Sequence, residues 1–327
     1  ERLVNCIVAL ATEKNSALCA ITGSVEWYNK LLLEVGTRTD KPLALLTDFL
    51  RPNDYPLAKA LNDAGFPVLA GERASLLAIK AAMRHRDFRE RICVEAPPVI
   101  DRERQLRWKN RLQNVSALDE PTSLLLLHDY GIPTLPFAVI ENERALVGAV
   151  STIGFPMVLK TAMAGISHKS DQDGVILNLE NDQAVLDAYR DLSRRLGPRA
   201  LVTRQAPADG IEMALGMVRD SLVGSLIMIG VGGTLIELLD DKTCVPAPSD
   251  AAEISRALQR LKCRPLLDGF RGQPPTDVSA LTNAALALST LSHELSDDIG
   301  EIDVNPLLVS SKGCYALDAL VIPSRGT

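Results

Sequence analysis

The sequence lacks the features that mark several common classes of protein. Its apolar runs all fall short of the roughly 20 residues that a membrane-spanning helix needs. Charges of both signs are interspersed along the chain and the formal net charge is −6, so no basic surface for nucleic acid or for an anionic membrane is predicted. An anionic ligand would therefore have to be held by a few local donors.

Paired cysteines are also missing. The six cysteines form no C-x-x-C pair and have no histidine at zinc-ligand spacing. We therefore predict reduced, mostly buried thiols in a cytoplasmic protein.

The glycine cluster at 229–241 has neither the G-x-G-x-x-G spacing of dinucleotide sites nor the G-x-x-x-x-G-K-[ST] phosphate loop. Taken alone, that cluster predicts only a flexible turn.

The remaining composition is that of a globular protein of about two domains. Hydrophobic residues make up 46% of the 327 positions and charged residues 23%. Residues 1–86 alternate amphipathic helices with three short apolar strands, which is typical of a parallel sheet covered on both faces. Three strands form only part of such a sheet, and the chain starts with Glu1 directly before a helical pattern. We expect this segment to be part of a longer polypeptide.

The rest of the chain has a different pattern. Residues 87–117 contain charged clusters, the pair Pro97-Pro98 and little periodicity, so they are predicted to be a solvated linker. Residues 118–327 mix helices with strands, including one predicted over 235–239, without strict alternation. This pattern predicts an α+β domain with mostly antiparallel strands.

Oxygen-bearing side chains share one face of a predicted strand near the C-terminus. In EIDVNPLLV (301–309), every second residue points the same way, so Glu301, Asp303 and Asn305 lie on one face. Asp318 is in the next predicted strand, where it would lie beside them. Carboxylate and amide oxygens suit Mg²⁺. The alternative is a polar stripe that faces solvent.

A second group of polar residues lies between two predicted strands, at 157–160 and 175–179. Lys160 could project its ammonium group into a cleft as a phosphate ligand, or it could be a strand-end lysine whose stem is buried and whose charge reaches water. His168 carries a neutral imidazole near pH 7, and such a group is a nucleophile toward phosphoryl groups. The alternative for His168 is a loop histidine bound to a backbone carbonyl.

Together these segments resemble a known family. Residues 118–322 are similar to the ATP-grasp domain of the nucleoside-diphosphate-forming acyl-CoA synthetases, which are ADP-forming acetate–CoA ligases and relatives of the succinyl-CoA synthetase β subunit. Residues 1–86 resemble the last part of the flavodoxin-like succinyl-CoA-ligase-like domain that precedes ATP-grasp in fused members. The matching segments are GIP (131–133), GFPMVLK (154–160), HKSD (168–171), GIE (210–212), GVGGTLIELL (230–239), GFRG (269–272), EIDVNPL (301–307) and ALDAL (316–320).

The resemblance implies a role for each matching residue. His168 would relay phosphate, and Asp303 would orient the phosphohistidine. Asn305 and Asp318 would bind Mg²⁺. The residues implied in nucleotide binding are Lys160 at the phosphates, Arg204, Gln205 and Ala206 at the adenine, Glu212 at the ribose, and Gly232 and Gly233 in the glycine-rich turn. One departure is Asp173, which stands where the family has a glycine and is expected to weaken nucleotide binding unless it points away or meets a cation.

The resemblance also implies a reaction. Acid, CoA and ATP would be converted to acyl-CoA, ADP and phosphate through an acyl phosphate and a phosphohistidine, with Mg²⁺ and ATP or ADP at this chain. CoA would bind through a domain that this chain lacks, so the chain is expected to carry only the ATP half-reaction, in a homo-oligomer or an αβ assembly. One alternative is a non-catalytic regulatory module of a protein acetyltransferase. Another is an ATP-grasp ligase that forms an acyl phosphate directly.

Overall fold

The chain divides into two compact units. A computed structural model describes residues 1–90, 98–163, 165–166, 169, 172–233 and 239–324. The small unit comprises Glu1–Val94 and the large unit Glu95–Thr327. Within the described ranges, no helix is both long and apolar enough to cross a membrane.

The small unit contains the predicted parallel sheet. Its strands are β1 (Cys19–Thr22), β2 (Leu43–Thr47) and β3 (Val68–Ala70), in the order β1-β2-β3 with both pairings parallel. Its helices are α1 (Arg2–Ala11), α2 (Val25–Gly36), α3 (Tyr55–Asp63) and α4 (Glu72–Arg89), with a 3₁₀ turn at Pro52–Asp54. Val4, Ile7 and Ala11 recur at helical spacing on α1, and they pack with α2, α3 and β2 in the core.

The large unit contains a four-stranded antiparallel subdomain. Its strands are β4 (Phe137–Ile140), β5 (Met157–Thr161), β6 (Val175–Leu179) and β7 (Ala200–Arg204), in the order β4-β7-β5-β6. Helices α7 (Glu143–Ile153) and α8 (Asp182–Leu196) pack on this sheet. Each helix starts at an asparagine, Asn142 or Asn181, whose side chain accepts a backbone N–H of the first turn. All five residues of β5 are buried, so this strand lies at the centre of the subdomain.

A six-stranded subdomain makes up the rest of the large unit. Its strands are β8 (Ile211–Asp220), β9 (Gly224–Val231), β10 (Lys242–Pro246), β11 (Ile299–Ser310), β12 (Gly313–Ala316) and β13 (Leu320–Pro323). Its helices are α5 (Arg102–Leu112), α6 (Glu120–Asp129), α9 (Ala251–Leu258), α10 (Arg264–Leu267) and α11 (Val278–Glu294). The strand order is β10-β9-β8-β11-β12, and β13 also pairs with β11. The antiparallel α+β prediction is confirmed; the strand predicted over 235–239 lies mostly outside the described residues.

Helix α5 lies within the segment that was predicted to be a solvated linker. Asp101 caps it by accepting the backbone N–H groups of Glu103 and Arg104. Trp108 and Leu112 are buried in the core of the six-stranded subdomain. The indole N–H of Trp108 donates to Asp129 Oδ2 at 3.0 Å. Few apolar residues of this otherwise charged helix are buried, which explains why its helical periodicity is weak in the sequence.

The pairing of β11 is interrupted at Asn305 and Pro306. Up to Val304 it pairs with β8 in one register, and from Leu307 onward it pairs in a shifted register. Its other neighbour changes at the same place, from β13 to β12. Proline has no backbone N–H to donate to a ladder, so Pro306 accounts for the position of the interruption. The side chain of Asn305 is thereby placed at a gap in the sheet.

Candidate functional site

Lys160 lies near the end of β5 and is almost fully enclosed. Only 9% of the surface of Lys160 is exposed to solvent. Nζ donates to Glu120 Oε1 at 2.8 Å and to the carbonyl oxygen of Leu317 at 2.7 Å. A buried ammonium group needs partners of this kind because an unpaired buried charge is strongly unfavourable. The structure therefore favours a positioned ammonium over a strand-end lysine that reaches bulk water.

A second lysine joins the same carboxylate. Lys169 donates from Nζ to Glu120 Oε2, so both oxygens of Glu120 are paired with ammonium groups. Lys169 Nζ also lies 3.7 Å from Asp318 Oδ2. Burial, and then the charge of Glu120, raise the pKa of Asp318, while the two lysines oppose this rise. We call Glu120, Lys160, Lys169 and Asp318 the lysine cluster.

The N-terminus of α6 is held in place beside this cluster. Asp119 caps the helix by accepting the Thr122 N–H at 3.0 Å. Arg199 donates to Asp119 Oδ2 at 2.7 Å and to the Ala162 carbonyl at 2.6 Å. This arginine thus joins the start of α6 to the residue that follows β5. Glu120 is thereby held close to Lys160.

The polar face predicted on β11 is present. Ile302 and Val304 are buried, whereas Glu301 is exposed and Asp303 and Asn305 are partly buried. Burial raises the pKa of Asp303, and the charges of Glu301 and Asp318 raise it further. Asp318 lies in the link between β12 and β13 rather than in a strand, which corrects the prediction for that residue.

The glycine pair after β9 contacts the polar face. The backbone N–H of Gly233 donates to Asn305 Oδ1 at 2.9 Å. The Gly232 N–H donates to the Glu212 carbonyl at 2.9 Å, and a Cβ on Gly232 would lie 2.4 Å from the backbone carbon of Met213. Only glycine fits such a close approach of two backbones. This turn is therefore held against β8 and β11.

The predicted hinge residues follow β7 and are held by a different set of contacts. The Gln205 N–H donates to the Pro156 carbonyl at 2.9 Å. Its side chain accepts the Asn178 N–H at 2.7 Å and donates to Asn178 Oδ1 at 2.7 Å. The Arg204 N–H donates to the Pro136 carbonyl at 3.0 Å, and Ala206 is partly buried. Glu212 is exposed on β8.

The oxygen donors of this site fit Mg²⁺. Asn305 Oδ1 accepts one hydrogen bond and has a second lone pair, and the carboxyl group of Asp318 is 40% exposed. Burial and the charges of Glu301 and Asp318 raise the pKa of Asp303, and burial and the charge of Glu120 raise that of Asp318; a divalent cation at these carboxyl groups would oppose both rises. Among the described residues, no group of three or more His, Cys, Asp or Glu side chains is arranged to hold a metal. Protein oxygens would thus supply only part of a coordination shell.

Two predicted residues, His168 and Asp173, contribute no described contact to the lysine cluster. His168 lies outside the described residues. Asp173 is exposed with φ 50°, and its carbonyl accepts Arg195 Nη2 at 3.1 Å. Two residues of the cluster, Glu120 and Lys169, are not among the site residues that the sequence predicts. The position of Lys169 in the HKSD motif could have indicated its role. The sequence around Glu120 contains no pattern that indicates its pairing with the two lysines.

The ATP-grasp domain family matches residues 110–322 of the chain. The beta subunit of ADP-forming acetate–CoA ligase I from Pyrococcus furiosus is 33% identical over 231 residues, which cover 68% of this chain and 98% of that protein. A trans-feruloyl-CoA synthase from an unknown prokaryote is 34% identical over 209 residues, but these cover only 29% of that longer protein.

A solved structure shows the same fold at similar identity. Acetyl-coenzyme A synthetase 1 of Ca. Korarchaeum cryptofilum is 31% identical with a TM-score of 0.60, and the match covers 68% of this chain and 99% of that one. That protein was crystallised with coenzyme A and Mg-AMPPCP, with its phosphohistidine segment pointing towards the nucleotide binding site. The chain therefore belongs to the ATP-grasp family, in the group that includes the beta subunits of ADP-forming acetate–CoA ligases.

Proposed function

We propose that this chain is the nucleotide-binding part of an acyl-CoA synthetase that converts acid, CoA and ATP to acyl-CoA, ADP and phosphate. The observation that carries the proposal is the lysine cluster beside the oxygen-rich face of β11. A nucleotide has a polyphosphate that needs cations, and the lysines supply two of them. The group to which the chain belongs includes ADP-forming ligases.

Each part of the site would have one task. Lys160 and Lys169 neutralise the phosphates, and the Gly233 turn lies beside Asn305 at the same site. Asn305 and Asp318 would hold Mg²⁺, which neutralises charge on the transferred phosphoryl group when it is bound. Arg204, Gln205 and Ala206 contact the adenine, and Glu212 the ribose. Phosphoryl transfer needs positioning and charge neutralisation above all, and the described residues are of the kinds that supply both.

His168 is proposed to accept the γ-phosphoryl group. The bond between the γ-phosphorus and the bridging oxygen breaks, ADP leaves, and a nitrogen of His168 forms the new bond to phosphorus. Asp303 would orient the imidazole. The crystallised archaeal synthetase has a phosphohistidine segment, which supports a phosphohistidine step in this group. CoA and the acid would bind with the help of a further subunit or domain, so this chain carries the ATP half-reaction.

The test uses the purified chain, magnesium and γ-labelled ATP. We expect acid-labile, base-stable label on the protein in the wild type and none in His168→Ala. His85→Ala is the matched control, because His85 is an exposed histidine on α4 of the small unit, and it should be labelled normally. ADP binding is measured in parallel by calorimetry. Binding without labelling would refute the role of His168, and the absence of both would refute the proposed function.

A further inference from the structure

We propose that Glu120 is a positioning residue that holds Lys160 and Lys169 for the phosphates of the nucleotide. This inference rests on the proposed function, since it assigns the lysines to phosphate binding. Glu120 would not touch the nucleotide. It would act by fixing the two ammonium groups in one place and orientation before the ligand arrives.

The contacts of Glu120 are unusually complete for a carboxylate. Its side chain is 4% exposed, and its two oxygens accept from two different lysines. The side chains of Lys160 and Lys169 are 11% and 15% exposed. An ion pair on the protein surface contributes little to stability, because water competes with the interaction between the two charges. At this depth the same pairing restricts both long side chains to one arrangement.

The cluster joins two subdomains. Glu120 is on α6, whose apolar residues pack in the core of the six-stranded subdomain. Lys160 is on β5, at the centre of the four-stranded subdomain. The Leu317 carbonyl, which also accepts from Lys160, follows β12 of the six-stranded subdomain. Lys160 therefore extends from the four-stranded subdomain and is held by two oxygen atoms of the six-stranded subdomain.

The number of N–H donors on Lys160 determines what remains for a ligand. A lysine ammonium group has three such donors. Among the described residues, Glu120 and the Leu317 carbonyl accept from two donors of Lys160, and these two bonds set the direction of the third donor. Preorganised donors cost less to order when a ligand binds. If Glu120 is neutralised, Lys160 keeps a fixed carbonyl partner but loses its charged one.

Two roles of Glu120 predict opposite results. A carboxylate that only adds negative charge near the phosphates would weaken binding, so removing its charge would raise the affinity for ADP. A positioning carboxylate strengthens binding, so removing its charge lowers that affinity. Adenosine lacks phosphates, so it reports on the base and ribose contacts alone.

The experiment compares ADP and adenosine binding to the wild type and to Glu120→Gln, with Mg²⁺ present. We expect the ADP affinity of the variant to fall about tenfold or more, as for loss of hydrogen bonds to charged groups, while adenosine affinity changes less than about twofold. Glu143→Gln is the control, because Glu143 forms an exposed ion pair with Arg190 and should leave both affinities unchanged. Unchanged or increased ADP affinity in Glu120→Gln would overturn the inference.

A second variant covers the case in which Glu120→Gln does not fold. Glu120→Asp retains the charge and withdraws the carboxylate by about one methylene, so ADP affinity should fall several-fold with adenosine affinity preserved. ADP affinity equal to that of the wild type would overturn the inference. A wild-type chain that binds ADP no better than adenosine would instead refute phosphate recognition, and with it the proposed function.

Discussion

Gly233 and Asn305 are joined by a 2.9 Å hydrogen bond from the backbone N–H to Oδ1. The bond links the turn after β9 to the point where β11 changes register against β8. One oxygen of a candidate Mg²⁺ ligand is thereby oriented by a glycine turn. The two glycines of this turn have different steric surroundings, and this difference can be tested.

Gly232→Ala should destabilise the large unit more than Gly233→Ala does. A Cβ on Gly232 would meet the backbone of Met213 at 2.4 Å, and relief requires the strands to shift, at a cost of about 2–3 kcal/mol. The described atom nearest to a Cβ on Gly233 would be Oε2, at the end of the flexible Glu212 side chain, which can move aside. Its φ of 62° adds about 1 kcal/mol of strain for alanine. Urea denaturation of each variant measures the free energies of unfolding.

The control variant, Gly148→Ala, is expected to raise the free energy of unfolding rather than lower it. Gly148 lies inside α7, and a Cβ added there would meet open space, with no described atom beyond its own helix backbone and chain neighbours within 4 Å. Alanine should therefore stabilise that helix by about 0.5–1 kcal/mol. Equal losses at Gly232 and Gly233 would show that the approach to Met213 is not the cause.

Asp241→Asn should destabilise the large unit at neutral pH. The two carboxylate oxygens accept the backbone N–H groups of Lys262 at 2.8 Å and Cys263 at 2.7 Å, and the residue is 7% exposed. Asparagine has only one acceptor oxygen, so one buried N–H loses its partner at a cost of about 1–3 kcal/mol. Urea denaturation at pH 7 measures the difference, with Asp209→Asn at an exposed position as the control.

The effect of Asp241→Asn should depend on pH in one direction. Burial opposes ionisation of Asp241, but the two N–H groups outweigh it and lower its pKa below the usual 3.8. The stabilisation is therefore full above the unfolded-state pKa and is lost as the pH falls through the lower folded-state pKa. The difference between variant and wild type should shrink below about pH 4. A difference that grows on acidification would contradict this assignment.

Cys263 and Cys314 should resist alkylation in the folded chain. Burial, with the neighbouring Asp241, raises the pKa of Cys263 to about 12, and burial with the charge of Asp277 raises that of Cys314 to about 11. At pH 8 fewer than about one in a hundred of these thiols are ionised, and only the thiolate reacts. Cys6 and Cys244 are exposed and should react first. Iodoacetamide labelling followed by peptide mass spectrometry measures the order.

The denatured chain serves as the control for accessibility, since all of these thiols should then react at similar rates. In the folded chain, labelling of Cys263 should rise steeply as the pH increases toward its pKa. Rapid labelling of Cys263 at pH 8, at the rate of Cys244, would show that its burial is not maintained in solution.

Trp108→Ala should destabilise the large unit by about 3–5 kcal/mol, because a fully buried aromatic side chain is removed from its core. Trp27→Ala is the control, since Trp27 is 79% exposed in the small unit and should change stability by less than about 0.5 kcal/mol. Circular dichroism during urea denaturation measures both. A negligible effect of Trp108→Ala would mean that α5 does not contribute to the core.

The sequence alone determined those features that depend on local periodicity. Alternation along β11 placed Asp303 and Asn305 on one face because successive strand residues point to opposite sides. The N-cap at Asp119 was predictable because a carboxylate directly before a helix can accept its unpaired N–H groups. Lys160 could be placed at a strand end because the predicted strand over 157–160 ends at this residue.

Tertiary structure decided the contacts between distant segments. Glu120 meets Lys160 across 40 positions of sequence, and no local pattern specifies which of the many carboxylates will be buried beside a particular lysine. Helix α5 was missed because its burial depends on a few residues, chiefly Trp108, that meet a core formed by later strands. Asp318 lies in a link rather than in a strand because β11 changes partner from β13 to β12. Each of these outcomes depends on how segments that are distant in the sequence pack together, and that packing is a property of the whole large unit.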